Sequence, residues 1–503
     1  MTSGSIEREV KLGGRPGFAM PDLDGVVAGL SIRQLPTLDL DATYYDTADL
    51  RLSREGVSLR RRTGDGAATW TLKLPLAPAT ASLRRLEFDV VDDATTIPEE
   101  LRSIIRPWVR SAPVEPVIQI LSHRQRQVLV DVYGAEVFAI DDDSVIAREG
   151  GEQIAQFREI EIELRAGGSV EQLELLTATM RRAGAGAPDP TPKVIRAIGP
   201  RAMMPSPLAP PDLRPQATIA EAVARAIRVA LAEMIACDIG IRLGQDDRVV
   251  QRARSASRRI RADLKAFRDH IDATSVDHLR AELQWLSTEL GERRIADVVF
   301  ARITGSVESL SGEEVDAAYV LVGRARERRS RATAHLKDVL DSQRYVRLLD
   351  GLMALSDPSS LSGGERPPAV ESIPEVMDLL WRRARRAVKN LPKRPSTDDI
   401  RGVRKQLSVL RSATLVAAPL YGAPASEFAD RIQRVNSDLD TIIDARYTEE
   451  WIKDRDARSG SVGPAVIDRL VAAQIVEADA ARRAWRESWD ACRSRSLTRW
   501  FRA

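Results

Sequence analysis

Residues 6–12, which read IEREVKL, decide the fold of the N-terminal part of the chain. In a β-strand, side chains two residues apart point to the same face. One face then carries Glu7, Glu9 and Lys11, and the other carries the apolar Ile6, Val10 and Leu12, with Arg8 as the exception. The segment is therefore predicted to be a strand with one charged and one apolar face.

Five later segments repeat this alternation, at residues 59–62, 70–74, 86–90, 123–126 and 157–164. A single strand of this kind indicates an antiparallel sheet with one face in water. Several strands with charges of both signs on one face fit a closed barrel better, with the charges inside and helices covering the apolar outside. Buried charges must compensate one another, so such an interior suits carboxylates that bind metal and arginines that bind a polyanion.

The ordered series of charged residues resembles the CYTH domain, or triphosphate tunnel metalloenzyme, over about residues 3–200. It begins with Glu7-x-Glu9-x-Lys11 and continues through Tyr45-Asp46-Thr47, Arg60, Arg62, Lys73, Arg85, Glu87, Arg124, Arg126, Asp141-Asp142, the run Glu159 to Glu163, and Lys193. The resemblance implies an eight-stranded antiparallel tunnel with flanking helices that binds a triphosphate and a divalent metal.

The resemblance also assigns roles to residues of this chain. The metal ligands for Mg²⁺ or Mn²⁺ would be Glu7, Glu9, Asp141, Glu159 and Glu161. The substrate-binding residues would be Lys11, Arg60, Arg62, Lys73, Arg85, Arg124, Arg126 and Lys193. Lys11 and Glu87 would act in catalysis. Glu163 is left open, because it could share the metal face or point to the tunnel mouth.

Hydrolysis of a triphosphate, with inorganic tripolyphosphate favoured, is the activity that this resemblance implies. Two alternatives stay open at this point. One is a non-catalytic protein that binds or targets polyphosphate. The other is a class IV-type adenylate cyclase or a thiamine triphosphatase, which the residues beyond the triphosphate would distinguish.

A proline-rich segment at residues 199–215 separates two parts of different character, because proline at this density excludes helix interiors and central strands. We expect a tunnel domain at residues 1–200, a linker at 201–217 and an all-helical bundle at 218–503. A second break at residues 356–368 divides the bundle into halves of about 218–355 and 369–503. Residues 1–200 carry 24 basic and 30 acidic side chains, whereas residues 201–503 carry 51 and 43, which favours different tasks for the two parts.

Each helical half contains a basic helix, at residues 248–268 and 398–416. The first resembles the signature helix of the CHAD domain, and the resemblance covers about residues 218–495. It implies binding of inorganic polyphosphate by Arg254, Arg258, Arg261, Arg404 and Arg411. Three positions where the family usually has histidine hold Gln251, Arg401 and Ile442 instead. Nucleic acid ranks lower as the polyanion, because the basic helix lacks interleaved aromatic residues for base stacking.

Composition excludes several other classes of protein. Two cysteines, Cys237 and Cys492, exclude a disulfide scaffold and a four-cysteine zinc site. No stretch approaches 18 uninterrupted apolar residues, and the N-terminus is charged, so we expect a cytoplasmic protein that does not associate with membranes. The tryptophan-containing stretch 478–502 is predicted to be a closing helix of the bundle rather than a membrane-surface helix. Oligomeric state is left open.

Overall fold

The computed structural model describes residues 5–15, 17–76, 83–246, 248–271, 276–308, 310–361, 367–454 and 462–502. The chain divides into two compact units, Met1–Pro207 and Leu208–Ala503. Within the described ranges, no helix is both long and apolar enough to cross a membrane. Part of the predicted break at 356–368, residues 362–366, lies outside the described residues.

The N-terminal unit is an antiparallel β-barrel. Its strands are β1 (Ser5–Gly13), β2 (Ser31–Gln34), β3 (Leu38–Asp46), β4 (Ser58–Thr63), β5 (Thr69–Pro75), β6 (Leu83–Val91), β7 (Glu115–Val130), β8 (Glu136–Glu149) and β9 (Glu152–Leu164). The order is β7-β3-β4-β5-β6-β1-β9-β8, and β8 pairs back onto β7. Eight strands thus close the barrel, which confirms the prediction, while the short β2 pairs with the end of β7.

Four helices accompany the barrel: α1 (Arg51–Arg54), α2 (Glu99–Val109), α3 (Val170–Arg182) and α4 (Lys193–Ile198). Helix α3 begins at Ser169, whose hydroxyl accepts from the backbone N–H of Gln172 while the Gln172 side chain accepts from the backbone N–H of Ser169. This capping box satisfies backbone donors that a helix start leaves free.

Apolar side chains cover the outside of β1, β8 and β9. Their cluster joins Val10, Leu12, Phe138, Ile140, Ile160 and Ile162 to Leu173, Leu176 and Met180 of α3. Because the side-chain period of a strand is two, an apolar exterior on these strands forces their charged residues to face inward.

The interior has one polar and one apolar end. At the apolar end, Ile118, Ile120, Val145 and Ala147 form a cluster with residues of α4 that include Val194 and Ile198. Helix α4 therefore packs in this end of the barrel, and its first residue, Lys193, reaches into the polar part.

The C-terminal unit is all-helical, as predicted. Its helices are α5 (Ile219–Arg242), α6 (Arg248–Ala266), α7 (Val276–Val307), α8 (Glu313–Asp341), α9 (Gln343–Leu355), α10 (Ala369–Lys389), α11 (Thr397–Tyr421), α12 (Ala423–Lys453), α13 (Pro464–Cys492) and α14 (Arg495–Thr498).

Small polar residues bring the basic helix α6 close to its neighbours α7 and α11. The Ser257 hydroxyl lies 3.0 Å from that of Ser287 on α7. The Ser412 hydroxyl on α11 donates a hydrogen bond of 3.1 Å to the backbone carbonyl of Arg259. These contacts place the two basic helices, one from each half, side by side.

The C-terminal tryptophans pack inside the bundle, which confirms the closing-helix prediction. Trp485 and Trp489 on α13 are buried, and the Trp489 ring centroid lies 5.3 Å from that of Trp381 on α10. Burial of such large rings stabilises the contact between the last helices and the rest of the bundle.

Replacing Leu12 by alanine tests the apolar exterior of the barrel. Leu12 is fully buried beneath α3, so the Leu12→Ala change leaves a cavity and is expected to cost about 2–5 kcal/mol of stability. Ile6 lies on the same strand but is 62 % exposed, so Ile6→Ala is the matched control. Thermal unfolding should show a lower midpoint for Leu12→Ala alone, and equal shifts would contradict this packing.

Candidate functional site

A polar cavity of about 220 Å³ lies inside the barrel. Its basic lining residues are Lys11, Arg60, Arg62, Lys73, Arg85, Arg124, Arg126, Arg165 and Lys193, and its acidic ones are Glu7, Glu9, Glu87, Asp89, Asp141, Glu161 and Glu163. Every residue that the resemblance assigned to metal binding, substrate binding or catalysis in the tunnel lines this cavity except Glu159. That residue is fully buried and lies within ion-pair distance of Lys11 and Lys193.

Lys11 lies among three carboxylates. Its Nζ is 3.2 Å from Glu9 and 3.8 Å from Glu159, and it donates to Glu161. Burial disfavours the ammonium form, but Glu161, Glu9 and Glu159 outweigh this effect and raise the pKa of Lys11 well above its usual value. The cations Lys11, Lys193 and Arg124 likewise overcome burial and lower the pKa of Glu161. Both groups are therefore charged at neutral pH.

Asp143 is a central residue of the site that the sequence reasoning missed. It is fully buried and accepts two hydrogen bonds from Arg124, at 2.8 and 2.7 Å. It also accepts from Lys193, whose Nζ lies 2.9 Å from Glu161. Burial opposes ionisation of Asp143, yet Lys193 and Arg124 lower its pKa. Asp143 thus holds two of the predicted phosphate ligands in position.

Period-two alternation could have found Asp143, because it shares a face with Asp141. Asp141 accepts from Arg126 at 2.6 and 2.7 Å and lies 2.5 Å from Arg124. Asp142 points to the other face and pairs there with Arg158. In this arrangement Asp141 orients arginines, whereas the sequence had placed it among the metal ligands.

Two arginines that line the cavity have no carboxylate partner among the described residues. Lys73 lies 2.6 Å from Glu7 and 3.4 Å from Glu87. Arg60, in contrast, contacts the Tyr44 hydroxyl at 3.4 Å, and the buried Arg85 forms no ion pair with any described residue. Buried guanidinium groups without partners are costly, so these arginines are suited to bind an anion.

Glu163 lies among other acids near the polar end. Burial, and repulsion by Glu7 and Glu9, raise its pKa to about 7 although Arg165 is 2.9 Å away. Unlike Glu161, it therefore takes up a proton close to neutral pH.

The carboxylates suit a hard divalent cation by their chemistry. Mg²⁺ and Mn²⁺ prefer carboxylate oxygens, and the fully buried Glu159 offers two of them, although Arg196 lies 2.8 Å from one oxygen and Lys193 lies 3.5 Å from the other. No group of three or more His, Cys, Asp or Glu side chains in the described part of the chain has an arrangement that could hold a metal ion as it stands. Lys11 and Lys193 lie between the carboxylates instead, so a cation would share these ligands with the two lysines.

The helical unit contains a second cavity, of about 580 Å³, between α6, α7, α11 and α12. Its basic lining residues are Arg258, Arg259, Arg261, Lys265, Arg280, Arg404, Lys405 and Arg411. Four of the five predicted polyphosphate ligands are among them. The fifth, Arg254, does not line the cavity and is repelled by Arg294 and Arg404. Lys265, Arg280 and Lys405 were missed. Arg280 and Lys405 belong to α7 and α11, and the face of one helix cannot reveal which residues a neighbouring helix adds.

Several arginines of this cavity lack acidic partners. Arg258 and Arg411 form no ion pair or hydrogen bond with any described residue, whereas Arg404 makes a bidentate pair with Asp440. Burial, followed by repulsion from Arg404 and Arg254, lowers the pKa of Arg258 to about 9. Burial and repulsion from Arg259 also lower the pKa of Arg411. Asp277 and Asp440 also line the cavity, but its eight basic residues outnumber these two acids, so the site keeps a net positive charge.

The three positions that depart from the usual histidines differ in their surroundings. Gln251 lines the cavity, and its carbonyl oxygen accepts no hydrogen bond from a described residue. Arg401 pairs with Asp398 at 2.7 Å and stacks on Tyr447, and Ile442 is buried. Only Gln251 of the three touches the cavity in the described residues.

The chain thus combines a barrel that has a charged interior with a helical bundle that has a basic cavity. Family models match it in both parts: the CYTH domain at residues 5–191 and the CHAD domain at residues 225–453. Two proteins of Mycobacterium tuberculosis, uncharacterized protein Rv2226 and uncharacterized protein MT2285, are each 32% identical to this chain over 386 residues. Each match covers 73% of this chain and 72% of the relative. The chain therefore belongs to the family of proteins in which a CYTH domain precedes a CHAD domain.

Solved structures with a similar fold include PptA from Streptomyces chartreusis and the CHAD domain from the plant Ricinus communis. Each is 20% identical with a TM-score of 0.45. The matches cover 55% and 56% of this chain and 100% and 95% of those chains, respectively.

The pKa of Glu163 gives a pH-dependent prediction. A folded-state pKa of about 7, above the usual 4.5, means that the folded protein binds more protons between these values, so Glu163 reduces stability as pH rises through this window. Glu163→Gln should therefore raise the thermal midpoint more at pH 8 than at pH 4.5. The gain in the free energy of unfolding should differ between the two pH values by at most about 3 kcal/mol. The control Glu152→Gln changes an exposed glutamate on the same strand. Equal midpoint shifts at both pH values would contradict the assignment.

Proposed function

We propose that the barrel hydrolyses a triphosphate in a metal-dependent reaction, with inorganic tripolyphosphate as substrate, and that the helical unit binds polyphosphate. The observation that carries the first part is that two kinds of charged group line one cavity. Among the described residues, Arg60 and Arg85 have no carboxylate partner, whereas Glu9, Glu159 and Glu161 converge around Lys11.

The basic and acidic residues of the cavity have complementary roles in phosphoryl transfer, which depends on positioning and on neutralising charge. Arg60, Arg62, Arg85 and Lys73 would bind the phosphate chain, and Asp143 and Asp141 keep Arg124 and Arg126 directed into the cavity. Lys11 would neutralise charge on the phosphoryl group that reacts, while Glu87 orients Lys73 from 3.4 Å.

A divalent cation is assigned to Glu7, Glu9, Glu159 and Glu161. When bound, it would withdraw charge from the phosphoryl group under attack and lower the pKa of a bound water. Asp141 is a weaker candidate ligand than the sequence suggested, because two arginines already occupy its oxygens.

The lining of the cavity favours an inorganic triphosphate over a nucleotide. Among the described lining residues, Tyr44 is the one aromatic side chain, and its hydroxyl contacts Arg60. A nucleobase is usually recognised by stacking on an aromatic or apolar surface. The charged lining offers little such surface, which supports tripolyphosphate ahead of ATP or thiamine triphosphate.

The polyphosphate part of the proposal rests on the uncompensated arginines of the helical cavity. A bound polyanion would relieve the repulsion that lowers the pKa of Arg258 and Arg411, and guanidinium groups bind phosphate oxygens in pairs. A long chain of phosphates supplies such oxygens at regular intervals and without bases.

Loss of two carboxylates should abolish hydrolysis. Glu7→Gln combined with Glu9→Gln keeps side-chain size but removes metal-binding charge, so phosphate release from tripolyphosphate with Mg²⁺ or Mn²⁺ should fall by at least about 100-fold. Chelation of the metal should have the same effect on the unaltered protein. Arg8→Ala, which alters the intervening residue of the same strand, is the control.

A substrate panel completes this test. Tripolyphosphate, ATP and thiamine triphosphate are compared for phosphate release, and cyclic AMP is measured with ATP. Unchanged turnover in the double variant would overturn the metal assignment. Cyclic AMP as the main product would favour a cyclase, and absence of turnover with tight tripolyphosphate binding would favour a binding protein.

Binding of polyphosphate should depend on the unpaired arginines of the helical cavity. Arg258→Ala with Arg411→Ala removes two contacts, so affinity should fall at least tenfold and the slope of log Kd against log salt should decrease by about 1–2. Arg326→Ala with Arg331→Ala removes the same charge from exposed positions of α8 that do not line the cavity. Equal losses in both variants would contradict a specific site, and tripolyphosphate hydrolysis should be unchanged in each.

A further inference from the structure

The rim of the helical cavity carries more positive charge than its neighbours neutralise. Burial, and then repulsion from Lys405, Arg280, Arg383 and Arg261, lower the pKa of Lys265. Four of these five residues line the cavity. Arg383 does not line it, and it belongs to α10, which packs against α11.

Helix α10 continues this positive surface away from the cavity. Between Asp378 and Asp398 the sequence has no acidic residue, and its basic residues are Arg382, Arg383, Arg385, Arg386, Lys389, Lys393 and Arg394. Arg382 pairs with Asp378 at 3.0 Å. Arg383, Arg386 and Lys389 are exposed, and within the described ranges they form no ion pair.

The spacing of these three side chains makes a track along the helix. Residues three positions apart lie on neighbouring parts of a helical surface, and each step advances about 4.5 Å along the axis. Like charges at this spacing repel one another and cost stability, unless an anion lies along them. The track begins at Arg383, which is within electrostatic range of the Lys265 rim.

We propose that Arg383, Arg386 and Lys389 form an exit track for polyphosphate chains that are longer than the cavity. This inference rests on the proposed binding of polyphosphate in the cavity and adds a chain-length preference to it. A short chain is held by cavity residues alone, whereas a long chain leaves past Lys265 and lies along α10. Exposed basic helices are commonly only solvated, but α10 joins its row to a cavity of the same sign.

Binding of chains of different length tests the track. Affinities of the full-length protein for a chain of about ten phosphates and for one of about a hundred are measured across a salt series. The test variant is Arg383→Ala, Arg386→Ala, Lys389→Ala, and the matched control is Arg326→Ala, Arg328→Ala, Arg331→Ala on α8. Both variants remove three positive charges from residues that do not line the cavity.

The track variant should lose at least tenfold in affinity for the longer chain, with a salt slope smaller by about 2–3, and should keep the affinity of the unaltered protein for the chain of about ten phosphates. The control should keep both affinities. Equal losses in the two variants, or equal losses for all chain lengths, would overturn the track. Displacement of the long chain by single-stranded DNA of equal charge would overturn it in favour of a nucleic-acid surface.

The same measurements separate this inference from the proposal beneath it. If the unaltered protein binds none of the chains, polyphosphate binding itself fails. If it binds them through Arg258 and Arg411 but the α10 variant has no length-dependent effect, only the track fails.

Discussion

Compensation of buried charge inside the barrel is the constraint on which the N-terminal unit depends. Lys11 and Lys193 each lie among several carboxylates. The bidentate pair of Arg124 with Asp143 links the neighbouring strands β7 and β8. Removing a partner would leave its counterpart charged, buried and unsatisfied, which costs far more than the pair contributes. Since these residues occupy alternate positions of their strands, the intervening residues face outward, and on β1, β8 and β9 most of them are apolar. The cover provided by α3 and the closure of the barrel both follow from that requirement.

In the helical unit, in contrast, several positive charges are not paired with acids. Its cavity brings together arginines from two halves of the bundle, and Arg258 and Arg411 form no ion pair with any described residue. Such a site is tolerated because the cavity gives the guanidinium groups access to water. It also gains more from an anion than a compensated site would. The tunnel thus combines acidic and basic side chains in similar numbers, whereas the helical cavity is mainly basic.

Strand periodicity predicted most of the tunnel, because a period of two assigns each residue to one of only two faces. Glu7, Glu9, Lys11, Arg124 and Arg126 follow from it directly. Asp143 obeys the same rule and was overlooked in favour of the adjacent Asp141-Asp142 pair, of which Asp142 binds Arg158 on the outer face. Helical periodicity predicts less. It selected the row Arg254, Arg258 and Arg261, but the contribution of Arg280 and Lys405 depends on how α7 and α11 pack, which no single helix encodes.

The positions of the missing histidines in the bundle explain why their loss affects the charge of the cavity less than the sequence suggested. Of the three departures from the usual pattern, Arg401 and Ile442 are engaged elsewhere in the bundle, and only Gln251 lines the cavity. The positive charge of the cavity comes from arginine and lysine side chains. Even Arg258, with a pKa of about 9, stays protonated at neutral pH. A histidine with an ordinary pKa would be mostly neutral there. The chain therefore keeps the electrostatic basis of an anion site while lacking the residues by which such helices are usually recognised.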